Sequence, residues 1–548
     1  MSSRAPWIVF GSALAGYLAV GITLSLRFGF ILGDALSRTA AAQAVLLSRD
    51  PHVSAIGFIF TPLTGLAQLP MVAFASWWPA ITRWNISGIT VSAAFMAGAV
   101  VMVHGICRDR GLPGRYRILI TVVFAINPMI VFYGANGMSE AGFLFLLCWA
   151  VRRLIRWVDT DDVHDLLLAG IALGLAFLAR YEGVVPIALA AVLVAVVTAC
   201  RRGREHWKSM RRRAVLDAVL ISGPGTAMFL VWITTSWLIT GEALAQLSSS
   251  YGNTAILTQS GGASGDLVQT TAFSLGALIA LGPTLLVTFP LAVVLATRRR
   301  DLEFVVAPLL FGGVLAFQAG SYITGSTFGF LRFFICAIPL AAVVVVQLFP
   351  AAGDLPTRRA GAYRRHRPSY PPMRTRAAVA AAVLCVSALP ITAWAMLQPS
   401  LSSQQYALGY LLAGDPSAAD SEATTARRVI DSFATERELA AYLDGQALPD
   451  GSILVDSVYG FAVLAASEYP RRFVIPSDLD FTQILNDPAA AGVRYLLTVP
   501  NEGRGVSDAI NRRYPTIYDN GAQLYPLEFE IPNTGADQPD WRLYRVPA

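Results

Sequence analysis

Asp34 follows directly on the first long apolar run of the chain, Ile8 to Ile31, in the stretch Leu32-Gly33-Asp34-Ala35-Leu36-Ser37-Arg38. A carboxylate at the mouth of a membrane-length apolar segment is costly to bury, which marks it for a function. The chemistry that fits is proton abstraction by a general base at the rim of a membrane. A structural use stands beside it, as a helix cap or as the partner of Arg38 four residues on. Other ionisable groups mark the ends of later apolar runs. They are Arg49-Asp50-Pro51-His52, Met138-Ser139-Glu140, Arg180-Tyr181-Glu182-Gly183 and Leu331-Arg332-Phe333. Arg27 lies inside the first run, where an arginine usually faces a cavity or a partner such as Glu140 or Glu182.

The elements that must hold these groups are membrane helices. Of 548 residues, 55% are hydrophobic and 14% charged, against roughly 25% charged in soluble domains. Successive runs of about 20 apolar residues are long enough to cross a hydrocarbon core. The net charge of +6 is gathered in short loops between these runs, which is an orientation signal rather than a nucleic-acid surface. Cys107, Cys148, Cys200, Cys336 and Cys385 lie in or at the ends of apolar runs, so they read as small buried hydrophobes and not as disulfides or metal ligands. Ala40 to Ala44 looks like a cleavage site, but the run before it is too long for a signal peptide and contains Arg27. It reads as a retained first helix.

Loop charge sets the topology. The segment 56–80 is apolar but interrupted by Pro62, Pro70 and Pro79. If it lies along the membrane, the spans are about 7–29, 87–107, 117–133, 141–157, 164–179, 183–200, 214–240, 267–296, 302–323, 330–349 and 376–397. Every second loop is then basic, among them those with Arg108 and Arg110, with Arg152, Arg153 and Arg156, with Arg201 to Arg213, with Arg298 to Arg300 and with Arg358 to Arg376. The positive-inside rule is obeyed at each crossing, and those inner loops carry orientation signals only. The expectation is a polytopic α-helical plasma-membrane protein of about eleven spans. Its N-terminus is cytoplasmic, and an extracytoplasmic C-terminal α/β domain covers 398–548. The membrane module is 1–397, with juxtamembrane helices in a first outer loop, 30–86.

The tail alternates strand and helix signals. Strands are expected at Ser452–Asp456, Arg472–Ile475, Val493–Val499, Glu528–Ile531 and Arg542–Val546, and helices at Val458–Ser467, Phe481–Ala491 and Val506–Tyr514.

The order of parts resembles the GT-C superfamily of membrane glycosyltransferases: a first span, an acidic residue opening a long outer loop, a proline-broken stretch, many spans and an outer domain. It is most similar to protein mannosyltransferases, the aminoarabinose transferase of lipid A and actinobacterial cell-envelope enzymes that use polyprenyl-phosphate sugars. The likeness is carried by Gly33-Asp34, the 51–79 stretch, Met138-Ser139-Glu140, Arg180 to Gly183 and Leu331-Arg332-Phe333 ahead of Pro339. It implies that Asp34 is the base, although Gly33 replaces the family's second acid. It also implies transfer of a sugar, arabinofuranose or mannose, from a polyprenyl phosphate to a hydroxyl of a glycan, lipid or protein. The expected partners are that donor, the acceptor and membrane lipid, with no nucleic acid.

Phosphate is an acidic leaving group, so one base with cationic stabilisation suffices and inversion follows from one in-line displacement. Arg332, Arg180 and Arg27 are the expected phosphate ligands. Glu140, Glu182, Asp50 and His52 are candidates for sugar or acceptor, with ion pairing to the arginines as the structural use of the glutamates. No cofactor or metal is expected. Asp159-Thr160-Asp161-Asp162 falls on the cytoplasmic side, and Asp478-Leu479-Asp480 reads as a helix N-cap. The outer domain is expected to cover the active site and hold the acceptor. The competing reading is a transporter or flippase of a lipid-linked cell-envelope intermediate. Such a protein usually shows inverted repeats and polar groups at mid-membrane.

Overall fold

A computed structural model describes residues 4–200, 207–259, 266–352, 375–413 and 421–547. The expected basic residues Arg201, Arg202, Arg204, Arg358, Arg359, Arg364, Arg365, Arg367 and Arg374 lie outside the described residues. Among those described, seven helices are long and apolar enough to cross a membrane, and counting two bent pairs as one span each makes nine. The bent pairs are Gly114–Ala125 with Pro128–Gly134, at 61°, and Leu267–Leu281 with Leu285–Arg299, at 76°. The remaining two expected spans form the helices Glu140–Thr160 and Val163–Ala179. The first carries Arg152, Arg153 and Arg156, and the second is only 17 residues long.

Helix α1 (Ala5–Ile22) begins with proline in its first turn, where a missing N–H costs nothing. It packs closely on the segment after Pro128: a Cβ at Gly21 would stand 2.3 Å from the Ala135 carbonyl oxygen. A π turn, Thr23–Arg27, ends it. Helix α2 (Gly33–Leu47) follows. The proline-broken stretch then forms only short helices, Val53–Ile56, Leu63–Leu66, Leu69–Val72 and Ala80–Arg83, and none is long enough to span. Phe74, Trp77 and Trp78 are exposed there, as aromatic side chains are at a membrane interface.

Helix α3 (Ile86–Asp109) is the first long helix after this stretch. A buried polar network fixes α2 against it. Thr39 Oγ1 lies 2.7 Å from both Gln68 Oε1 and Asn85 Oδ1. Ser87 Oγ donates to Gln68 Oε1 at 2.8 Å, and Asn85 Nδ2 donates to the Asn136 carbonyl at 3.1 Å. Buried polar groups satisfied in this way tie α2 to one position.

The basic loop residues do more than orient the chain. Arg110 pairs with Asp301 at 2.5 Å and Glu303 at 3.2 Å, and Arg152 with Asp109 at 2.8 Å. Arg153 and Arg156 meet Asp165 at 2.7 and 3.2 Å. The expectation that these loops carry orientation alone is therefore corrected: their arginines also lock helix ends together. The Asp159–Asp162 cluster is used in the same way, with Asp161 on Arg213 at 2.6 Å and Asp162 capping His164 N at 3.0 Å.

Among the described residues, the last helix long and apolar enough to span ends at Met396. The C-terminal domain beyond it is built on a five-stranded mixed sheet in the order β2-β1-β3-β5-β4. The strands are β1 (Ile453–Val455), β2 (Phe473–Val474), β3 (Tyr495–Thr498), β4 (Leu527–Ile531) and β5 (Trp541–Arg545). β1 is parallel to β2 and β3, while β5 is antiparallel to β3 and β4. All five strands stand where sequence alone placed them. Two helices are shorter than expected. Phe481–Asn486 stops before Pro488, which disfavours helix at Asp487. Val506–Tyr514 splits at Asp508, which caps Ala509–Arg513.

Candidate active site

Four membrane-module segments and one helix of the C-terminal domain converge at the start of α2. That helix is Ser457–Ala466. Its Phe461, with Phe433, packs into one buried cluster with Ile31, Leu36 and Ala40. Asp34 stands in the first turn of α2, where the helix dipole favours a carboxylate.

The carboxylate does not pair with Arg38. Arg38 Nη1 donates instead to the Asp34 backbone carbonyl at 2.8 Å, and its guanidinium lies 4.2 Å over the Phe60 ring. The partner of the carboxylate is Arg332, whose Nη2 donates to Oδ2 at 2.9 Å. Arg332 sits in the short turn Leu331–Phe334, stacked 4.8 Å over Phe330. Its Nε faces Glu140 Oε1 at 3.8 Å. Glu140 opens the helix Glu140–Thr160 and accepts from Arg180 Nη1 at 2.7 Å. Arg180 also reaches Glu182 Oε1 at 2.8 Å, and Glu182 accepts from Gln318 Nε2 at 2.5 Å. The result is a ladder of alternating charge, Asp34–Arg332–Glu140–Arg180–Glu182, closed by Gln318. Mutual compensation is what makes so many buried charges tolerable.

Burial works to raise the pKa of Asp34, but the charges of Arg332 and Arg38 more than reverse it. The carboxyl is held below its ordinary range and is ionised at neutral pH. The Asp34 side chain is 40% exposed, whereas those of Glu140 and Glu182 are 2% and 16% exposed. Asp34 is thus the acid of the ladder that a bound molecule can reach.

The structure brings together five of the eight expected site residues: Asp34, Arg332, Glu140, Arg180 and Glu182. It leaves three apart. Arg27 is exposed and lies 5.4 Å over its neighbour Phe28, pairing with neither glutamate. It is the last residue of the π turn that prolongs α1, still within the first membrane-length helix. Asp50 and His52 lie beyond the far end of α2, about 22 Å along at 1.5 Å per residue. There Asp50 accepts from Leu479 N at 3.0 Å, and His52 Nδ1 lies 2.7 Å from the Asp50 carbonyl.

Asp478 and Asp480 do not cap their helix as expected. They grip Arg49, with Asp478 Oδ2 3.2 Å from its Nε, and so rivet the end of α2 to the C-terminal domain.

Sequence reasoning missed Gln318 and Tyr133. Tyr133 is fully buried and accepts from Gln405 Nε2. Neither carries a charge that would stand out at the end of an apolar run. Among the described residues, no group of three or more His, Cys, Asp or Glu side chains is placed to hold a metal ion.

The fold as a whole matches a solved structure over its full length. The chain is similar to ArnT from Cupriavidus metallidurans, solved bound to undecaprenyl phosphate, with 12% identity and a TM-score of 0.54 over 100% of this chain and 99% of that one. It also matches AglB, the archaeal oligosaccharyltransferase from Archaeoglobus fulgidus in complex with an inhibitory peptide and a dolichol-phosphate, with 12% identity and a TM-score of 0.42 over 100% and 75%. No family model and no curated protein sequence matches the chain.

Proposed function

We propose that the chain is a glycosyltransferase that moves a sugar from a polyprenyl phosphate to an acceptor hydroxyl at the extracytoplasmic face of the membrane. One observation carries this reading. A single reachable carboxylate, Asp34, is kept ionised and oriented by Arg332 at the seam between helix α2 and the outer domain. ArnT, which shares the fold, was solved with undecaprenyl phosphate bound.

In this reading the acceptor hydroxyl gives its proton to Asp34, its oxygen bonds to the anomeric carbon, and the bond from that carbon to the phosphate oxygen breaks. The electron pair leaves on the phosphate, which needs no proton. One displacement inverts the anomeric centre. The reading includes eleven spans, a cytoplasmic N-terminus and an outer C-terminal domain. Arabinofuranose and mannose are the favoured sugars.

Its test is transfer by purified protein from a panel of labelled polyprenyl-phosphate sugars, with the anomeric configuration of the product read by NMR. The expected product has inverted configuration. A retained configuration overturns the single-displacement mechanism, and no transfer from any donor overturns the reading. The transporter alternative predicts movement of the intact lipid-linked sugar across a vesicle bilayer without transfer.

A further inference from the structure

The ladder accounts for the charges of Arg332 and Arg180 but leaves two nearby guanidinium groups without a carboxylate. Arg38 is 8% exposed, and its contacts are the Asp34 carbonyl and the face of Phe60. Arg504 belongs to the outer domain, in the turn Gly503–Ser507. Its Nη2 donates to the Val458 carbonyl at 3.3 Å, and its guanidinium lies 5.1 Å over the Tyr459 ring. The Nε atoms of both arginines are buried and have no hydrogen-bond partner. Among the described residues neither arginine makes an ion pair. A buried guanidinium N–H left unmade is expensive, more so than a neutral one.

The two arginines face one place. Val458 and Tyr459, which hold Arg504, form the first turn of the outer helix Ser457–Ala466. Phe461, less than a turn further on, sits over the start of α2: a Cβ at Gly33 would lie 3.9 Å from its ring and 3.4 Å from that of Phe433. Arg38 is one turn into α2 from the same point. The charges of Arg38 and Arg504 both act on Asp34. Four guanidinium groups, of Arg38, Arg180, Arg332 and Arg504, therefore surround three carboxylates, of Asp34, Glu140 and Glu182. The excess is one positive charge, and it resides on the two arginines that lack an acid. Burial without a paired acid also pulls the pKa of Arg38 down, which an anion placed beside it would reverse.

We propose that Arg38 and Arg504 form a two-point anion subsite, across the seam between α2 and the outer domain, that takes the phosphate of the lipid-linked donor. The inference rests on the proposed transferase reading and deepens it. The outer domain binds the donor, rather than only covering the site or holding the acceptor. Guanidinium forks match phosphate oxygens, and the unpaired Nε atoms supply donors that no protein group uses. The self-compensated pair Arg180–Glu182 contributes little to phosphate binding in this arrangement.

The test measures affinity of the purified full chain for undecaprenyl phosphate, inorganic phosphate and undecaprenol. It compares wild type with Arg504→Gln, Arg504→Lys and Arg38→Gln. Arg471→Gln is the control, since Arg471 is exposed and, among the described residues, pairs with exposed Asp450 alone. Arg504→Gln is expected to weaken undecaprenyl phosphate binding about tenfold or more, the size of a lost charged hydrogen bond. Its melting temperature should not change. Arg504→Lys should restore part of the affinity, and Arg471→Gln should bind as wild type. Undecaprenol should show no dependence on Arg504, and inorganic phosphate a weaker form of the same dependence.

Equal affinity of wild type and Arg504→Gln for undecaprenyl phosphate overturns the subsite and leaves the transferase reading standing. Absence of wild-type binding to the lipid phosphate overturns both. Arg504-dependent binding of inorganic phosphate without binding of the lipid overturns the assignment to the donor.

Discussion

Arg332 holds the Asp34 carboxylate at 2.9 Å across 298 positions of sequence. This pair joins the start of helix α2 to the turn before a late membrane helix, and it sets the ionisation of the proposed base. Arg332 lowers the pKa of Asp34, and the base works only when deprotonated. Activity should therefore fall as pH drops through that lowered value. In Arg332→Gln the carboxyl loses its main counter-charge and its pKa rises. The acid limb of the pH–rate profile should move to higher pH, with a lower plateau. An unmoved limb separates Arg332 from the base.

Glu140 and Asp34 belong to one ladder but should respond differently to substitution. Glu140 is buried against Arg180 at 2.7 Å. Its removal leaves Arg180 with Glu182 alone and takes an acid from beside Arg332, a loss of up to about 3 kcal/mol for a buried pair. Glu140→Ala should therefore lower the melting temperature in detergent markedly, whereas Asp34→Asn should leave it near wild type. Equal melting temperatures for Glu140→Ala and wild type contradict the ladder as a structural device.

The C-terminal domain contains a buried carboxyl pair. Asp456 accepts from Val458 N, Ala509 N and Tyr251 Oη, and Asp508 accepts from Ile510 N and Asn511 N. Burial raises both pKa values, and the proximity of Asp456 adds to the rise at Asp508. A raised carboxyl favours the protonated folded form, so stability from this site is full in acid and is lost as pH climbs through the folded-state pKa. Asp508→Asn keeps the cap and removes the charge. It should raise the melting temperature at pH 8, and the gain should shrink as pH falls through the raised value. A gain that does not depend on pH contradicts the account.

Sidedness is open to labelling. Leu479 is 84% exposed on the C-terminal domain, and the Arg108 side chain is 51% exposed at the opposite end of α3 from the site. In a Cys200→Ser background, which removes the exposed native cysteine, Leu479→Cys should react with an impermeant maleimide in intact cells. Arg108→Cys should react only after permeabilisation. The reverse pattern inverts the proposed orientation.

Asp34 stood out in the sequence because a charge ending an apolar run has few structural excuses. The same logic found Glu140, Arg180, Glu182 and Arg332, since each lies at such a boundary. It did not place the partner of Arg27, which ends the first membrane-length helix and lies over Phe28 instead of pairing with Glu140 or Glu182. Pairing was not legible at all. Arg38, four residues from Asp34, was the obvious side-chain partner, yet tertiary structure put Arg332 there and left Arg38 on a carbonyl. The strands of the C-terminal domain were legible as short apolar runs between turn residues. Its helices Ser421–Ile430 and Ala434–Asp444 were not, because charged residues interrupt both and each buries only one face.

The central claim is that Asp34 takes the acceptor proton. The direct measurement is the rate of sugar transfer from a labelled polyprenyl-phosphate donor by purified wild type and Asp34→Asn, with melting temperature recorded on the same samples. The account predicts a rate loss of about a hundredfold or more, the usual contribution of a general base, at an unchanged melting temperature. Equal rates for the two proteins would contradict it.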